Sequence, residues 1–201
     1  MTTVKTRFFE KFNFPGIVGC IDCTHIAIVP PPANNVEYPT HVFINRKGYY
    51  SINCQIICDA DLKILGMNAR YPGSVHDSAV WTVSNINRVL HGNYTQNNDQ
   101  TTWLLGDSGY HLQPYLLTPV VGAEQETPEG RYTRSHCTVR NTIERCIGLL
   151  KAYFRCLHKD RVLHYKPQMA AKIIYSCAVL HNIMRDRNMD VPNINIEYGN
   201  Y

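Results

Sequence analysis

The chain is 201 residues long, 44% hydrophobic and 18% charged, with a formal net charge of +4. These values suit a globular protein with one substantial core and exclude a disordered or collagen-like polypeptide. The slight basic excess permits contact with phosphate without requiring it.

Residues 1–13 contain Phe8-Phe9-Glu10-Lys11-Phe12 and predict the tail of a helix, closed by a turn at Asn13-Phe14-Pro15-Gly16. The mixed, charged start lacks the apolar segment of a signal peptide. No apolar run reaches the ~20 residues that span a bilayer. The expectation is a soluble chain with no membrane partner.

Ile17 to Val29 is a long apolar run rich in β-branched residues, and reads as a buried strand. Asp22 sits in its middle. An isolated carboxylate loses its hydration on burial, so Asp22 demands a metal ion or a charged partner. Pro30-Pro31-Pro32 ends the strand, and a loop runs on through Asn45-Arg46-Lys47-Gly48. Residues 49–58 then alternate, with Tyr50, Ile52, Cys54, Ile56 and Cys58 on one face and Tyr49, Ser51, Asn53 and Gln55 on the other. Asp59-Ala60-Asp61 turns the chain into a third strand at 62–69, so the sheet opens as an antiparallel meander.

Ser74 is the expected N-cap of a short helix through Trp81, and residues 91–102 read as a polar loop. Residues 103–106 predict a short strand ending at Asp107-Ser108-Gly109, and 115–120 a fifth strand. A polar loop at 121–131 precedes two helices, at about 135–157 and 167–187. In the second, Met169, Ile173, Cys177, Leu180 and Met184 recur at helical spacing and are expected in the core. The last dozen residues read as frayed.

The eight cysteines lie mostly in apolar runs and are expected as reduced thiols. Cys20 and Cys23 have zinc-like spacing, but residues three apart on a strand point to opposite faces, and no second pair accompanies them. Gly106-Asp107-Ser108-Gly109 is out of register with the Gly-x-Ser-x-Gly nucleophile motif.

Three acids stand out by context. Asp22 lies mid-strand. Asp107 lies at the carboxyl end of a short strand, where open sheets place ligands. Glu144 lies on the helix Val139-Arg140-Asn141-Thr142-Ile143-Glu144-Arg145-Cys146-Ile147-Gly148-Leu149-Leu150-Lys151. There Arg140, Glu144, Gly148 and Lys151 share one stripe, beside the apolar stripe Ile143, Ile147 and Leu150. The glycine weakens the helix by about 1 kcal/mol relative to alanine, a cost that a close approach by a metal or a polynucleotide backbone would explain. Taken singly, Glu144 reads better as a solvated acid paired with Arg140 or Arg145, and Asp107 equally well as a turn residue. Together the three can hold one or two hard divalent ions, Mg²⁺ or Mn²⁺.

Four motifs occur in order: Gly19-Cys20-Ile21-Asp22-Cys23-Thr24-His25, Tyr71-Pro72-Gly73-Ser74-Val75-His76-Asp77-Ser78, Leu105-Gly106-Asp107-Ser108-Gly109-Tyr110, and the Arg140–Lys151 helix. In this the chain resembles the DDE nuclease domain of the PIF/Harbinger transposases and their domesticated, Harbinger-derived nuclease relatives in animals. The ending Ala178-Val179-Leu180-His181-Asn182-Ile183 also fits, and the likeness covers about residues 12–185. The resemblance implies an α/β, RNase H-like fold with a mixed sheet of about five strands flanked by helices. It implies a metal-dependent DNA endonuclease that uses a metal-activated water and, as cofactors, two Mg²⁺ or Mn²⁺ ions held by Asp22, Asp107 and Glu144.

His76 and Asp77 carry a family motif; they either brace the helix near Trp81 or support the metal ligands from behind. Arg140, Lys151, Arg145 and Arg134 are the candidate DNA contacts. Further basic residues, Arg131, Arg155 and Arg46-Lys47, lie nearby in sequence, with Tyr132, Tyr153 and Phe154 interleaved. The resemblance further implies a Myb-like DNA-binding partner, nuclear as well as cytoplasmic location, and compatibility with a homo-oligomer. The alternative is a catalytically inactive, domesticated transposase acting as a DNA- or protein-binding module.

Two departures accompany the likeness. Ile147 stands where the family has an aromatic, and the chain starts just before the first strand, where members carry a helical region, often a helix-turn-helix. The expected layout is the tail of a truncated N-terminal helical region at 1–13, a DDE nuclease domain at 14–187 and a polar, flexible tail at 188–201.

Overall fold

The computed structural model describes residues 2–190. Most of the polar tail expected at 188–201 therefore lies outside the described residues. Helix α1 (Thr2–Phe12) leads into β1 (Ile17–Ala27). After a loop with a 3₁₀ turn come β2 (Ser51–Cys58), β3 (Ile64–Pro72), α2 (Asp77–Thr82) and α3 (Asn85–Gln96). Next are β4 (Trp103–Leu105), β5 (Leu116–Leu117), α4 (Pro128–Tyr153) and α5 (Pro167–Asp186).

The five strands form one mixed sheet in the order β3-β2-β1-β4-β5. The expected meander is present: β1, β2 and β3 pair antiparallel, while β4 and β5 run parallel to β1. One face packs Cys20, Ile26, Ile52, Cys54 and Ile56 against α1, α4 and α5. The other packs Val18, Ile21, Ile57, Leu104 and Leu116 against Trp81 of α2 and Leu90 of α3. A register shift between Ile17 and Gly19 lets Ile17 share a core with Cys20, and Val18 with Ile21, although each pair is three residues apart.

Four details differ from expectation. The N-cap of α2 is His76, not Ser74. Much of the polar loop at 91–102 is helix: Ser84 caps α3, its side chain accepting from the Asn87 N–H at 3.2 Å, and only Leu90 is fully buried. The α4 helix begins seven residues early, because Thr127 caps it through the Gly130 N–H and Pro128 opens it.

The face of α5 is also displaced. Ala170, Ile174, Cys177, Ala178 and His181 are buried, while Met169 and Leu180 are about half exposed. The small side chains bring α5 close to β3. There Asn182 accepts from the Ile64 N–H and donates to the Ile64 carbonyl, both at 2.8 Å, and Tyr175 Oη accepts from the Ala69 N–H. Polar contacts, not the apolar stripe, set the orientation of this helix.

All eight cysteines are free. Cys20 Sγ donates to the Val139 carbonyl on α4, whereas Cys23 Sγ meets Tyr110 Oη, so the two thiols do point to opposite faces. Among the described residues no helix is long and apolar enough to cross a membrane.

Candidate active site

The site exists because β4 is short. β2 flanks β1 from Cys20 to Ala27, but β4 flanks it only from Ile17 to Cys20. Beyond that point one edge of β1 is open. Asp22, Cys23, Thr24 and His25 are correspondingly half-buried in a strand that is otherwise buried. Asp22 is thus held by a rigid central strand yet reachable from outside.

Asp107 follows β4 by two residues. Gly106 between them is required by space: a Cβ there would lie 2.9 Å from the Tyr110 ring. Asp107 Oδ1 accepts the Gly109 N–H at 3.0 Å, an Asx turn that fixes the carboxylate at the strand end. Glu144 comes from α4, whose Val139, Ile143, Cys146 and Leu150 are anchored in the core. That anchoring turns Arg140 and Glu144 toward the open edge.

Arg140 joins the acids. Its Nη1 donates to Glu144 Oε1 at 2.7 Å, and its Nη2 stands 3.4 Å from Asp22 Oδ2. Arg140 and Asp22 are only 16% and 18% exposed, while Glu144 is 53% exposed. The buried Arg140 Nε has no partner. Asp22 Oδ1 also accepts the Cys23 N–H at 2.7 Å. Burial nonetheless pushes the Asp22 carboxyl up to about 6, against the opposing pull of Arg140 and the Cys23 N–H, and with a further upward push from Asp107 and Asp77. Asp22 is an acid whose negative charge is under-compensated.

Asp77 opens α2 and accepts from Asn53 Nδ2 at 2.8 Å; the same amide also donates to the Val75 carbonyl. Burial has the largest effect at Asp22, Cys23, His25 and Tyr110, and the Asp77 charge reinforces it at all but His25, where it opposes it, which places Asp77 near them. His76 is exposed and makes no side-chain capping bond. The two members of that motif differ in setting: Asp77 is half-buried and held by Asn53, and His76 is exposed. The polar face of β2 carried the signal for this, because Asn53 is fully buried yet polar.

Of the four candidate DNA contacts, Arg140 bridges the acids. Lys151 Nζ lies 3.5 Å from the His25 carbonyl, three residues along β1 from Asp22. Arg145 is exposed beside Glu144. Arg134 is turned away, donating to the Gln125 carbonyl near Glu126 at the start of α4. What sequence reasoning missed is Arg140 as the cation shared by two of the acids; its spacing four residues before Glu144 was the available clue.

The donor set suits a hard divalent cation: carboxylate oxygens, one of them under-compensated, at an open edge. Among the described residues no three His, Cys, Asp or Glu side chains stand close enough to hold an ion as they lie. Arg140 supplies the positive charge between Asp22 and Glu144 instead, so a cation there must displace its guanidinium.

Comparison with known proteins identifies the family. Residues 21–182 match the model of the DDE superfamily endonuclease, and the chain belongs to that family, whose domains have an RNase H-like fold. Among individual proteins, it is 36% identical over 191 residues to "Putative nuclease HARBI1" of Rattus norvegicus, covering 94% of this chain and 52% of that protein. The Homo sapiens protein of the same name is 35% identical over 190 residues, covering 94% and 51%. "Protein ALP1-like" of Arabidopsis thaliana is 27% identical over 199 residues, covering 93% and 48%. The chain thus spans about half the length of the curated relatives it matches. No solved structure matches it.

Proposed function

We propose that this chain is the catalytic domain of a divalent-metal-dependent DNA endonuclease. One observation carries the reading: three carboxylates from separate elements lie near the gap where β4 stops short of β1, and Asp22, on the central strand, is under-compensated. Asp22, Asp107 and Glu144, with Asp77 beside them, would hold Mg²⁺ or Mn²⁺. When bound, the metal supplies Lewis acidity at phosphate oxygens and lowers the pKa of water.

The chain's own residues do the rest. The Cys23 N–H holds one oxygen of Asp22 and leaves the other facing the gap. The Asx turn keeps Asp107 fixed at the strand end. Asn53 holds Asp77 in place. Arg140, once displaced from Asp22 and Glu144, is positioned to pair with a phosphate oxygen of the scissile strand through its planar fork of donors. The resemblance to Harbinger-derived nucleases adds a Myb-like DNA-binding partner and a nuclear site of action to this reading.

The test is nicking of supercoiled plasmid in Mn²⁺. Wild type should nick, and Asp107→Ala should not. A second reading, a DNA- or protein-binding module without cleavage, is favoured by one feature: Arg140 already neutralises two of the acids. A wild type that binds DNA, shows no metal-dependent rise in melting temperature and nicks nothing would establish that second reading.

A further inference from the structure

We propose that the loop joining α4 to α5 is a second phosphate-backbone contact, about five base pairs from the candidate active site, that grips the arm of a duplex DNA substrate. The nature of the polymer rests on the endonuclease reading above; the contact itself rests on charge and geometry.

Residues 155–166 carry Arg155, Lys159, Arg161 and Lys166 against one acid, Asp160, a net +3 in a chain whose whole formal charge is +4. All five are exposed, and none joins the ion pairs found among the described residues. Several cations elsewhere are compensated: Arg7 and Lys11 share Asp61, Lys63 pairs with Asp186, and Arg140 pairs with two acids. A run of uncompensated like charges costs self-repulsion that an anionic polymer would relieve. The run also encloses a space: Arg155, Asp160, Arg161, His164 and Tyr165 line an open groove of about 700 Å³. Tyr165 is 51% exposed there and offers an aromatic edge beside the cations.

The loop is stitched to the strand that carries Asp22. The Leu163 N–H donates to the Ala27 carbonyl at 2.9 Å, the Val29 N–H donates to the Leu163 carbonyl at 3.1 Å, and Leu163 itself is buried. From Asp22 to Ala27 is five strand residues, roughly 17 Å at the usual rise. Duplex DNA rises 3.4 Å per base pair, so this is roughly five base pairs. Groups from both faces of β1 lie along the interval. Arg140 is at Asp22, Lys151 at the His25 carbonyl, the His25 ring 6.4 Å from the Tyr49 ring, and Lys159 Nζ 5.2 Å above that ring. α4 runs alongside β1 in the same sense and delivers Arg155 just beyond its end. A backbone lying across the acids would pass Lys151 and reach the groove.

The measurement is the salt dependence of binding to a fluorescent 24-base-pair duplex, by anisotropy and without divalent metal. Each phosphate neutralised contributes about 0.9 to the slope of log K against log salt. Arg155→Ala/Lys159→Ala/Arg161→Ala should flatten the slope by about 2 to 3 and weaken binding roughly 10- to 100-fold near physiological salt, with the melting temperature unchanged. Should the triple variant misfold, Arg155→Gln/Arg161→Gln is the substitute, with a flattening of about 2. The control Arg88→Ala/Lys172→Ala/Arg187→Ala removes the same charge from exposed positions elsewhere and should leave the slope alone.

An unchanged slope in the loop variants, or an equal flattening in the control, overturns the proposal. So does a change seen with single-stranded RNA and absent with duplex DNA. A wild type that nicks plasmid with a slope indifferent to the loop removes the loop alone. A wild type that nicks nothing but shows the loop-dependent slope removes the nuclease reading and keeps the contact.

Discussion

Two aspartates in this protein each face an arginine, and the outcomes are opposite. Asp61, in the turn between β2 and β3, receives Arg7 Nε at 2.8 Å and Arg7 Nη2 at 3.1 Å, with Lys11 Nζ at 2.5 Å. Those hydrogen bonds hold its carboxyl down at about 2. Asp22 has one long contact to an arginine that it shares with Glu144, and burial lifts it to about 6. Asp61 is 36% exposed and keeps much of its hydration, whereas Asp22 is half as exposed and has given most of its hydration up. The first is a finished ion pair that ties α1 to the sheet. The second is an acid kept short of positive charge, and the proposed function gives that shortage to a cation to fill.

The sharpest way to break that contrast is activity. Asp22→Asn should reduce Mn²⁺-dependent nicking on the order of 10³-fold, the scale on which single electrostatic stabilisers of a transition state act. Asp61→Asn should leave nicking intact. Equal effects of the two would mean that Asp22 is only another structural acid.

Stability gives the next contrast. Arg140→Ala leaves Asp22 buried without its nearest cation and should cost about 2 kcal/mol in a urea titration, less than for a fully buried pair because Glu144 is exposed. Asp61→Asn should cost about 1 kcal/mol, since its partners are solvated.

The two acids should also separate by pH. The Asp22 carboxyl is raised in the folded state above its unfolded value near 3.9. Its contribution is therefore fully present below about pH 4 and lost as pH rises through about 6. The Asp61 carboxyl is depressed, so its contribution is present above about pH 4 and lost as pH falls toward 2. Urea midpoints from pH 3 to 7 should show Asp22→Asn removing the decline between 4 and 6 and Asp61→Asn removing the decline below 4. Saturating Mn²⁺ should cancel the first decline in wild type, because a cation supplies the charge that Asp22 lacks.

The legibility of these regions in the sequence follows the same physics. Asp22 was legible because an acid inside an apolar, β-branched run has no bland explanation. Its strand, the meander after it and the Glu144 helix followed from period and composition. Asp107 and Glu144 gained their pairing with Asp22 mainly from motif resemblance, because each alone passes for a turn acid or a surface acid. The α3 helix stayed hidden because Asn-rich composition resembles a loop, and its anchors are few: buried Leu90, with Ile86 and Tyr94 packed beside it, under a serine cap. The α5 face was misjudged because large apolar residues announce a stripe more loudly than Ala170 and Ala178, although the small residues are the ones that let the helix reach β3. The pairing of Arg140 with Glu144 was legible from their i, i+4 spacing, but its contact with Asp22 depends on β4 stopping at Leu105, a tertiary fact with no local signature.

The smallest predicted effect concerns Gly148, one turn beyond Glu144 on the face that carries Arg140 and Lys151. A Cβ added there meets nothing within 4 Å, so no packing within the fold requires a glycine. Gly148→Ala should therefore stabilise the helix by up to about 1 kcal/mol, read as a higher urea midpoint. If the open space is where a polynucleotide backbone passes between Glu144 and Lys151, the same methyl group should weaken duplex binding while the fold gains stability. A variant that is both more stable and as tight in binding would place the DNA path off this face of α4 and leave Lys151 outside it, whereas opposite signs for stability and affinity would fix the path across it.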